Sequence, residues 1–305
     1  MQIQLFLRKT VIFLCVPLVF YLVLLIALSL QLSKGTVFSK KLDSDKREFL
    51  FLGDSHIEKA INDSILNSSY NVGQSSESIY FSYFKLRKML QTTHCIKNVY
   101  LGFSYHSLSD YYSKFVDGEY SNAISSKYFY LLPFSEKLYL LNANRRDIVS
   151  YIKTITEKGV MDFMADQHTY LGGYDNSYVS SKAQKNFMDK RITLQYYTNG
   201  QLDSFDAKNL EYLKKIQELC KQSNVNLVLL NTPLHKYYKS KVPDAFIEKY
   251  NQTIHDMDIQ VLDLSEMPLD DSCFIPDGDH LSQQGAALTT KYIASQLVRD
   301  TAAKP

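Results

Sequence analysis

Cysteine is scarce in this chain of 305 residues, which contains four. Cys15 lies in an apolar N-terminal segment, and the remaining three, Cys95, Cys220 and Cys273, are odd in number and widely spaced. This pattern predicts no disulfide framework. Apart from the adjacent His94 and Cys95, none of the three has a second ligand at the short spacing that tetrahedral zinc sites use. We therefore expect no metal, and nothing in the sequence calls for a cofactor.

A charge excess of either sign is also missing. Lysine and arginine total 34 and aspartate and glutamate total 32, which gives a formal net charge of +2. Nucleic-acid binding requires clustered basic residues that neutralise phosphates, so we expect no nucleic-acid partner. The chain also has no Gly-rich phosphate loop, internal repeat or heptad array.

Apolar residues make up 45% of the chain, and their excess is concentrated in residues 11–32, which contain no charged residue. This segment is long enough to span a bilayer. Arg8 and Lys9 precede it, as is usual on the cytoplasmic side of a first span, although further lysines follow it. A cleaved signal peptide is the alternative, but its apolar region should be shorter and end in small residues.

The sequence thus predicts four regions. Residues 1–10 form a cytoplasmic N-terminus, 11–32 a single-pass transmembrane anchor, 33–46 a linker, and 47–300 one domain outside the cytoplasm, on the periplasmic or outer face. The domain is long enough to bury a core of its own.

The domain alternates apolar runs with helical patterns. The apolar runs that we expect to be strands are 48–52, 97–102, 225–230 and 260–264, and the clearest helical patterns are 76–90, 207–222 and 283–298. Uniformly apolar strands alternating with helices predict an α/β fold with a parallel sheet between two helical layers. A Tyr-rich stretch at about 108–200 shows helix-like pieces but no clear strand, and we interpret it as a helical insertion.

A polar tetrapeptide, Gly53-Asp54-Ser55-His56, follows the first predicted strand and leads directly into a helical pattern. Functional sites of parallel α/β sheets form at the carboxyl ends of strands. A serine at a helix start can use backbone N–H groups and the helix dipole to stabilise an oxyanion. Taken alone, Ser55 could equally be a helix N-cap.

A second polar segment, Asp277-Gly278-Asp279-His280, follows the fourth predicted strand. The spacing of Asp277 and His280 lets a carboxylate fix the imidazole tautomer so that the other ring nitrogen can accept a serine proton. Taken alone, the two aspartates could be turn and capping residues, and His280 a surface histidine.

Together the two segments resemble the SGNH or GDSL-like hydrolase family, which has Gly-Asp-Ser after the first strand and Asp-x-x-His before the last helix. The resemblance implies a flavodoxin-like three-layer α/β/α sandwich and a triad of Ser55, His280 and Asp277. The family's second block matches Asn71-Val72-Gly73. By that match, the backbone N–H groups of Gly73 and Ser55 form the oxyanion hole.

The family's third block departs from the pattern, because Gly102-Phe103-Ser104-Tyr105 stands where Gly-x-Asn-Asp is expected. Ser104 replaces the asparagine and is a candidate oxyanion donor with a shorter reach. Loss of one such donor typically costs about 10²–10³ in kcat. Slow catalysis, rescue by another donor and a differently shaped hole all remain open.

Further polar residues at this predicted edge of the sheet are candidate substrate contacts. They are Asp54, His56, His106 and His235. A carbohydrate-stacking face is a further hypothesis, since aromatic rings offer flat apolar surfaces, although burial in the core is the plainer interpretation. The tyrosines concerned are Tyr111, Tyr112, Tyr128, Tyr130, Tyr196 and Tyr197.

The chain looks similar to membrane-anchored family members that O-acylate cell-envelope polymers, in alginate acetylation or teichoic-acid alanylation. That resemblance implies a serine esterase or O-acyltransferase, a polysaccharide substrate and a multispanning membrane acyltransferase as partner. The alternative is a weakly active or inactive domain that binds a glycopolymer or such an acyltransferase. Contact between Ser55 and His280, and between His280 and Asp277, is the geometry that favours the enzyme.

Overall fold

The protein is described by a computed structural model that covers residues 2–32, 47–165, 170–177 and 182–302. The predicted linker at 33–46 lies outside the described residues. The long N-terminal helix and the α/β fold described from residue 47 onward can both be compared with the sequence expectations.

Five parallel strands form the central sheet in the order β2-β1-β3-β6-β7. The strands of the chain are β1 Phe49–Leu52, β2 Ser69–Asn71, β3 Asn98–Gly102, β4 Tyr197–Thr198, β5 Gln201–Leu202, β6 Asn226–Asn231 and β7 Gln260–Asp263, of which β4 and β5 pair separately as an antiparallel hairpin. Leu50, Phe51 and Leu52 of β1 are completely buried, because helices cover both faces of the sheet.

Helices supply the two outer layers and the insertion. They are α1 Gln2–Leu32, α2 Ser55–Ala60, α3 Ile79–Thr92, α4 Ser113–Val116, α5 Ser121–Tyr128, α6 Phe134–Ala143, α7 Ile148–Ala165, α8 Lys185–Tyr196, α9 Ala207–Gln222, α10 Lys236–Lys239, α11 Asp244–Met257 and α12 Gln283–Ala302. α3 packs on α9, and α2 packs on α12. Leu50 belongs to one buried cluster and Phe51 to another, so the sheet separates two apolar layers. The predicted α/β sandwich with a parallel sheet is confirmed.

The sequence prediction missed three strands. β2 is only three residues long and contains a single apolar side chain, Tyr70, so it shows no strand pattern. β4 and β5 have two residues each and close the insertion as a hairpin. The described residues of the stretch at 108–200 otherwise form mainly helices, as expected, with residues 170–177 outside any helix or strand.

The insertion packs against the N-terminal helix, which is long and apolar enough to cross a membrane. Leu28 and Leu32 of α1 are buried against the domain. The hydroxyl of Tyr21 bonds Thr156 of α7, and Lys137 Nζ of α6 donates to Ser29 Oγ at 3.2 Å. One apolar helix of this kind is compatible with a signal anchor or a single membrane span.

The insertion's tyrosines are mainly core residues. Tyr128, Tyr130 and Tyr196 are at most 3% exposed. These three rings do not form a carbohydrate-stacking face, since rings that stack on a sugar must be accessible, whereas Tyr197 is half-buried. Tyr111 and Tyr112 are also buried for most of their surface, although both border a cleft described below.

A buried ion pair joins the sheet to the insertion. Lys85 and Glu77 have completely buried side chains and contact each other. Lys85 Nζ also donates to the carbonyl oxygens of Val72, at 2.7 Å, and Tyr170, at 3.1 Å. Burial raises the pKa of Glu77 and lowers that of Lys85, as desolvation requires. The pair holds the segment after β2 against the insertion.

We expect Lys85→Met to lower the free energy of unfolding by about 3–5 kcal/mol, because it leaves the Glu77 carboxylate buried without its cation. Chemical denaturation of the full chain measures this loss. The control is the double variant Glu77→Gln/Lys85→Met, which removes both charges and should recover most of the stability. Equal losses in the single and double variants would contradict the role of the ion pair.

Candidate active site

The end of β1 places Ser55 at the start of a helix. Gly53 has φ +146°, a conformation that side-chain-bearing residues rarely adopt, and a Cβ there would lie 3.2 Å from the backbone of Gly102 on β3. Asp54 is the N-cap of α2, because its side chain accepts the N–H of His56 at 2.9 Å. Ser55 is therefore the first residue of α2, at the carboxyl edge of the sheet.

Ser55, His280 and Asp277 form a continuous hydrogen-bonded chain. His280 Nε2 lies 2.7 Å from Ser55 Oγ, and His280 Nδ1 lies 2.8 Å from Asp277 Oδ2. The turn that brings Asp277 back to His280 contains Gly278 at φ +72°. The structure thus brings together the three side chains predicted to form the triad, and their arrangement permits proton transfer from the serine.

A second carboxylate, that of Asp279, also approaches His280. Its Oδ1 lies 3.2 Å from His280 Nδ1, and its side chain is completely buried. Asp279 Oδ2 accepts Arg191 Nε at 2.8 Å and Gln195 Nε2 at 3.0 Å, and both donors lie on α8 of the insertion. Asp279 is therefore part of the site's charge network, not only a turn residue.

His56 extends this charge network away from His280. Its ring nitrogens lie 3.2 Å from Asp54 Oδ1 and 3.2 Å from Asp279 Oδ2. His106 Nε2 lies 2.9 Å from Asp54 Oδ2, and the His56 ring stacks between those of His106 and His280. Asp54, His56 and His106 were candidate substrate contacts. At most 7% of each is exposed, which argues against direct contact and for a role in holding charge.

The network alters the pKa values of its members. Burial alone would lower the pKa of His280, but the carboxylates of Asp279 and Asp277 outweigh it and raise the pKa to about 9. Burial and the neighbouring His56 lower the pKa of His106 to about 4. For His56, burial is outweighed chiefly by Asp54, and its pKa is raised. His280 is consequently imidazolium near neutral pH, whereas His106 is neutral, and the raised pKa of His56 favours its charged form.

The predicted oxyanion donors are placed differently from expectation. Ser55 N–H is at the first helical position, where no intrahelical acceptor exists. Gly73 N–H, however, donates to Asn71 Oδ1 at 2.7 Å and does not border the cleft. Ser104 is 3% exposed, and its buried hydroxyl has no partner among the described residues. Of the three, Ser55 alone lines the cleft.

The cleft above Ser55 encloses about 230 Å³. Sequence reasoning did not identify several residues that line it, namely Lys59, Ser75, Ser76, Phe115 and Arg191. Ser76 has φ +66°, an uncommon conformation for a residue with a side chain. Arg191 lies in the helical insertion, where no motif marked it. Among the network residues that the sequence analysis did not identify, Asp279 alone had a signal in the sequence, namely its position next to His280.

His235 lies away from this cleft. It lines a separate cavity, formed by the chain after β6 and after β7, and its Nε2 is 3.0 Å from Asp271 Oδ1. Its own N–H donates to the carbonyl of Gly278 at 2.8 Å. His235 therefore supports the turn between Asp277 and His280, and it does not border the cleft above Ser55.

Two triplets of potential metal ligands overlap in the network. Asp54, His56 and His106 form one, and His56, Asp279 and His280 form the other. Asp279 Oδ2 already accepts the Arg191 guanidinium, whose positive charge opposes a metal ion at the same oxygen. Asp54 Oδ2 is occupied by His106 and by the Tyr112 hydroxyl. These oxygens are better explained by the protein partners they have.

The chain was compared with protein families, curated proteins and solved structures. No family model matches this chain, and no curated protein matches it. A solved structure that does match is a GDSL-like lipase from Bacteroides thetaiotaomicron VPI-5482, with a TM-score of 0.41 and 8% identity over 88% of this chain and 98% of that chain. The α/β architecture of the present chain is defined by its own strand order and register.

We expect Asp279→Asn to lower the pKa of His280 from about 9, because the imidazolium loses one of two neighbouring carboxylates. A decrease of roughly 1–3 units is typical of such a loss. Histidine-selective NMR titration of the full chain measures the pKa directly and requires no substrate. Asp270→Asn, which alters an exposed aspartate, is the control. An unchanged titration of His280 in a folded Asp279→Asn variant would contradict this role of Asp279.

Proposed function

We propose that this chain is a membrane-anchored serine esterase or O-acyltransferase that acts, outside the cytoplasm, on acyl groups of a cell-envelope polysaccharide. The observation that carries the proposal is the 2.7 Å contact of Ser55 Oγ with His280 Nε2, with Asp277 on the opposite ring nitrogen. A serine that merely caps a helix needs neither partner. This geometry is that of an activated nucleophile.

In the proposed mechanism, neutral His280 accepts the Ser55 proton as Ser55 Oγ bonds to the ester carbonyl carbon. The tetrahedral intermediate collapses, His280 gives the proton to the leaving oxygen, and an acyl-serine remains. An acceptor hydroxyl then loses its proton to His280 and attacks the acyl-serine carbonyl. The bond to Ser55 Oγ breaks, the acylated acceptor leaves, and His280 returns its proton to Ser55 Oγ. Water as acceptor gives hydrolysis, and a sugar hydroxyl gives transfer.

The cleft favours a short acyl group. Its volume of about 230 Å³ lies below the range of roughly 300–1,000 Å³ typical of sites that enclose a drug-sized ligand. Phe115 and Tyr111 offer apolar surface at its border, whereas Lys59 and Arg191 offer polar donors. Such a cleft suits a small ester at the surface of a larger, partly exposed acceptor such as a polysaccharide.

Anchoring supports the transfer reaction in particular. The apolar helix α1 would keep the catalytic domain beside the membrane, where a multispanning acyltransferase could supply acyl groups. Tethering raises the effective concentration of donor and acceptor sites relative to each other. The extracytoplasmic side is proposed from Arg8 and Lys9, which precede the apolar segment.

One observation favours the alternative of a weak or inactive binding partner. Gly73 N–H is engaged by Asn71, and Ser104 does not border the cleft, so the oxyanion hole has fewer of the expected donors. Each missing donor costs about 10²–10³ in kcat. In that case the domain would bind the glycopolymer or the membrane acyltransferase.

Reaction of the detergent-solubilised full chain with a fluorophosphonate probe distinguishes the two. We expect labelling of the intact protein, loss of labelling in Ser55→Ala, and a decrease of about 10³-fold or more in His280→Ala. The labelling rate should increase as the pH rises through about 9, because His280 must lose its proton to act as a base.

Matched controls are available on the same chain. Ser64 and His255 are exposed, so Ser64→Ala and His255→Ala should label like the intact protein. Absence of labelling in the intact protein across this pH range would contradict the enzyme and favour the alternative, a domain that binds a glycopolymer or the membrane acyltransferase. If the intact protein is labelled, a radiolabelled acyl donor separates transfer to a polysaccharide from hydrolysis.

A further inference from the structure

A cavity of about 330 Å³ lies between the last turns of α1 and the α/β domain. Its wall is formed by Ser29 and Leu30 of α1, the carboxyl-terminal half of α3, and the segment leading into α6. The cavity shares no lining residue with the Ser55 cleft, so it is a separate site.

The charged side chains that line this cavity are all basic. Arg87, Lys88 and Lys137 line it, and no carboxylate of the described residues does. Arg87 and Lys88 have no ion-pair partner within the part of the chain that the structure describes. Glu136, beside Lys137, instead accepts the hydroxyl of Tyr80 at 2.8 Å. Burial lowers the pKa of Lys137, which donates to Ser29 Oγ at 3.2 Å. The cavity thus presents three cations to an anionic ligand.

The position of the cavity along α1 identifies the kind of anion. Ser29 and Leu30 lie at the carboxyl-terminal end of the apolar stretch 11–32, on the part of α1 beyond Tyr21 that packs on the domain, and this end faces the headgroup layer if α1 spans the bilayer. Leu30 and Ile26 are 64% and 59% exposed on the helix surface that lipid would cover. A membrane phosphate is therefore the anion nearest to these cations.

Apolar side chains continue the membrane-facing surface beside the cavity. Phe134 and Leu138 are one turn apart on α6, and they are 74% and 50% exposed. Such side chains next to basic residues are typical of helices that lie in the membrane interface. The cations and the apolar side chains thus point to the same partner, a lipid surface.

We propose that this cavity binds the phosphate of an anionic membrane lipid through Arg87, Lys88 and Lys137, with the lipid's acyl chains along the exposed side of α1. Basic pockets beside membrane helices bind anionic headgroups in this way. Binding at the junction of anchor and domain fixes the domain's orientation on the bilayer. The inference does not depend on the activity of Ser55.

The test uses the full chain in neutral detergent, titrated with phosphatidylglycerol and followed by native mass spectrometry. We expect one phosphatidylglycerol to bind in preference to phosphatidylcholine. Removing the three cations in Arg87→Gln/Lys88→Gln/Lys137→Gln should weaken binding on the order of 100-fold, since each cation near a membrane phosphate contributes about a fivefold effect. Inorganic phosphate should not displace the lipid.

A matched triple variant, Lys241→Gln/Lys249→Gln/Lys291→Gln, removes the same charge from residues that do not line the cavity and should bind the lipid like the intact protein. Equal binding of phosphatidylcholine, or equal weakening in both triple variants, would overturn the proposal. Displacement by inorganic phosphate would overturn it in favour of a free-anion site. Fluorophosphonate labelling of Ser55 should be unchanged in both variants, so failure here is distinguishable from failure of the proposed enzyme.

Discussion

The buried carboxylate of Asp279 is the interaction on which the arrangement of the site depends. It contacts His280, His56, Arg191 and Gln195, and its side chain has no access to solvent. An unpaired carboxylate at this depth would be too costly to remain ionised. The cations around Asp279 keep its pKa well below the usual range despite burial. Asp279 in turn is the largest cause of the raised pKa of His280, and together with Asp54 it raises the pKa of His56.

Charge balance explains why so many ionisable groups can be buried together. Three anions, Asp54, Asp277 and Asp279, face three cations when His56 and His280 are protonated beside Arg191. His106 stays neutral, so it forms a hydrogen bond with Asp54 without adding a charge. Stacked imidazolium rings repel each other, and the intervening carboxylates offset that repulsion. A group removed from this set therefore affects its neighbours as well as its direct partner.

The insertion is part of the site, because α8 supplies Arg191 and Gln195 to Asp279. Close backbone contacts join it to the sheet as well. A Cβ on Gly172 would collide with the carbonyl of Gly73, and Gly173 N–H donates to that carbonyl at 2.9 Å. The insertion also contacts α1, so the segment that completes the charge network is the one that meets the N-terminal apolar helix. The fold thus links that helix to the edge of the sheet that carries Ser55.

Local patterns in the sequence determined the parallel sheet, the apolar N-terminal helix and the pairing of Ser55 with His280 and Asp277. Each depends on short-range periodicity or on motifs at strand ends, which are visible without long-range contacts. The tertiary structure alone decided that Gly73 N–H is taken by Asn71, that His56 and His106 are buried, and that Arg191 reaches Asp279 across 88 positions. These outcomes depend on which distant groups pack together, and no local pattern specifies the direction of a side chain within a helical insertion.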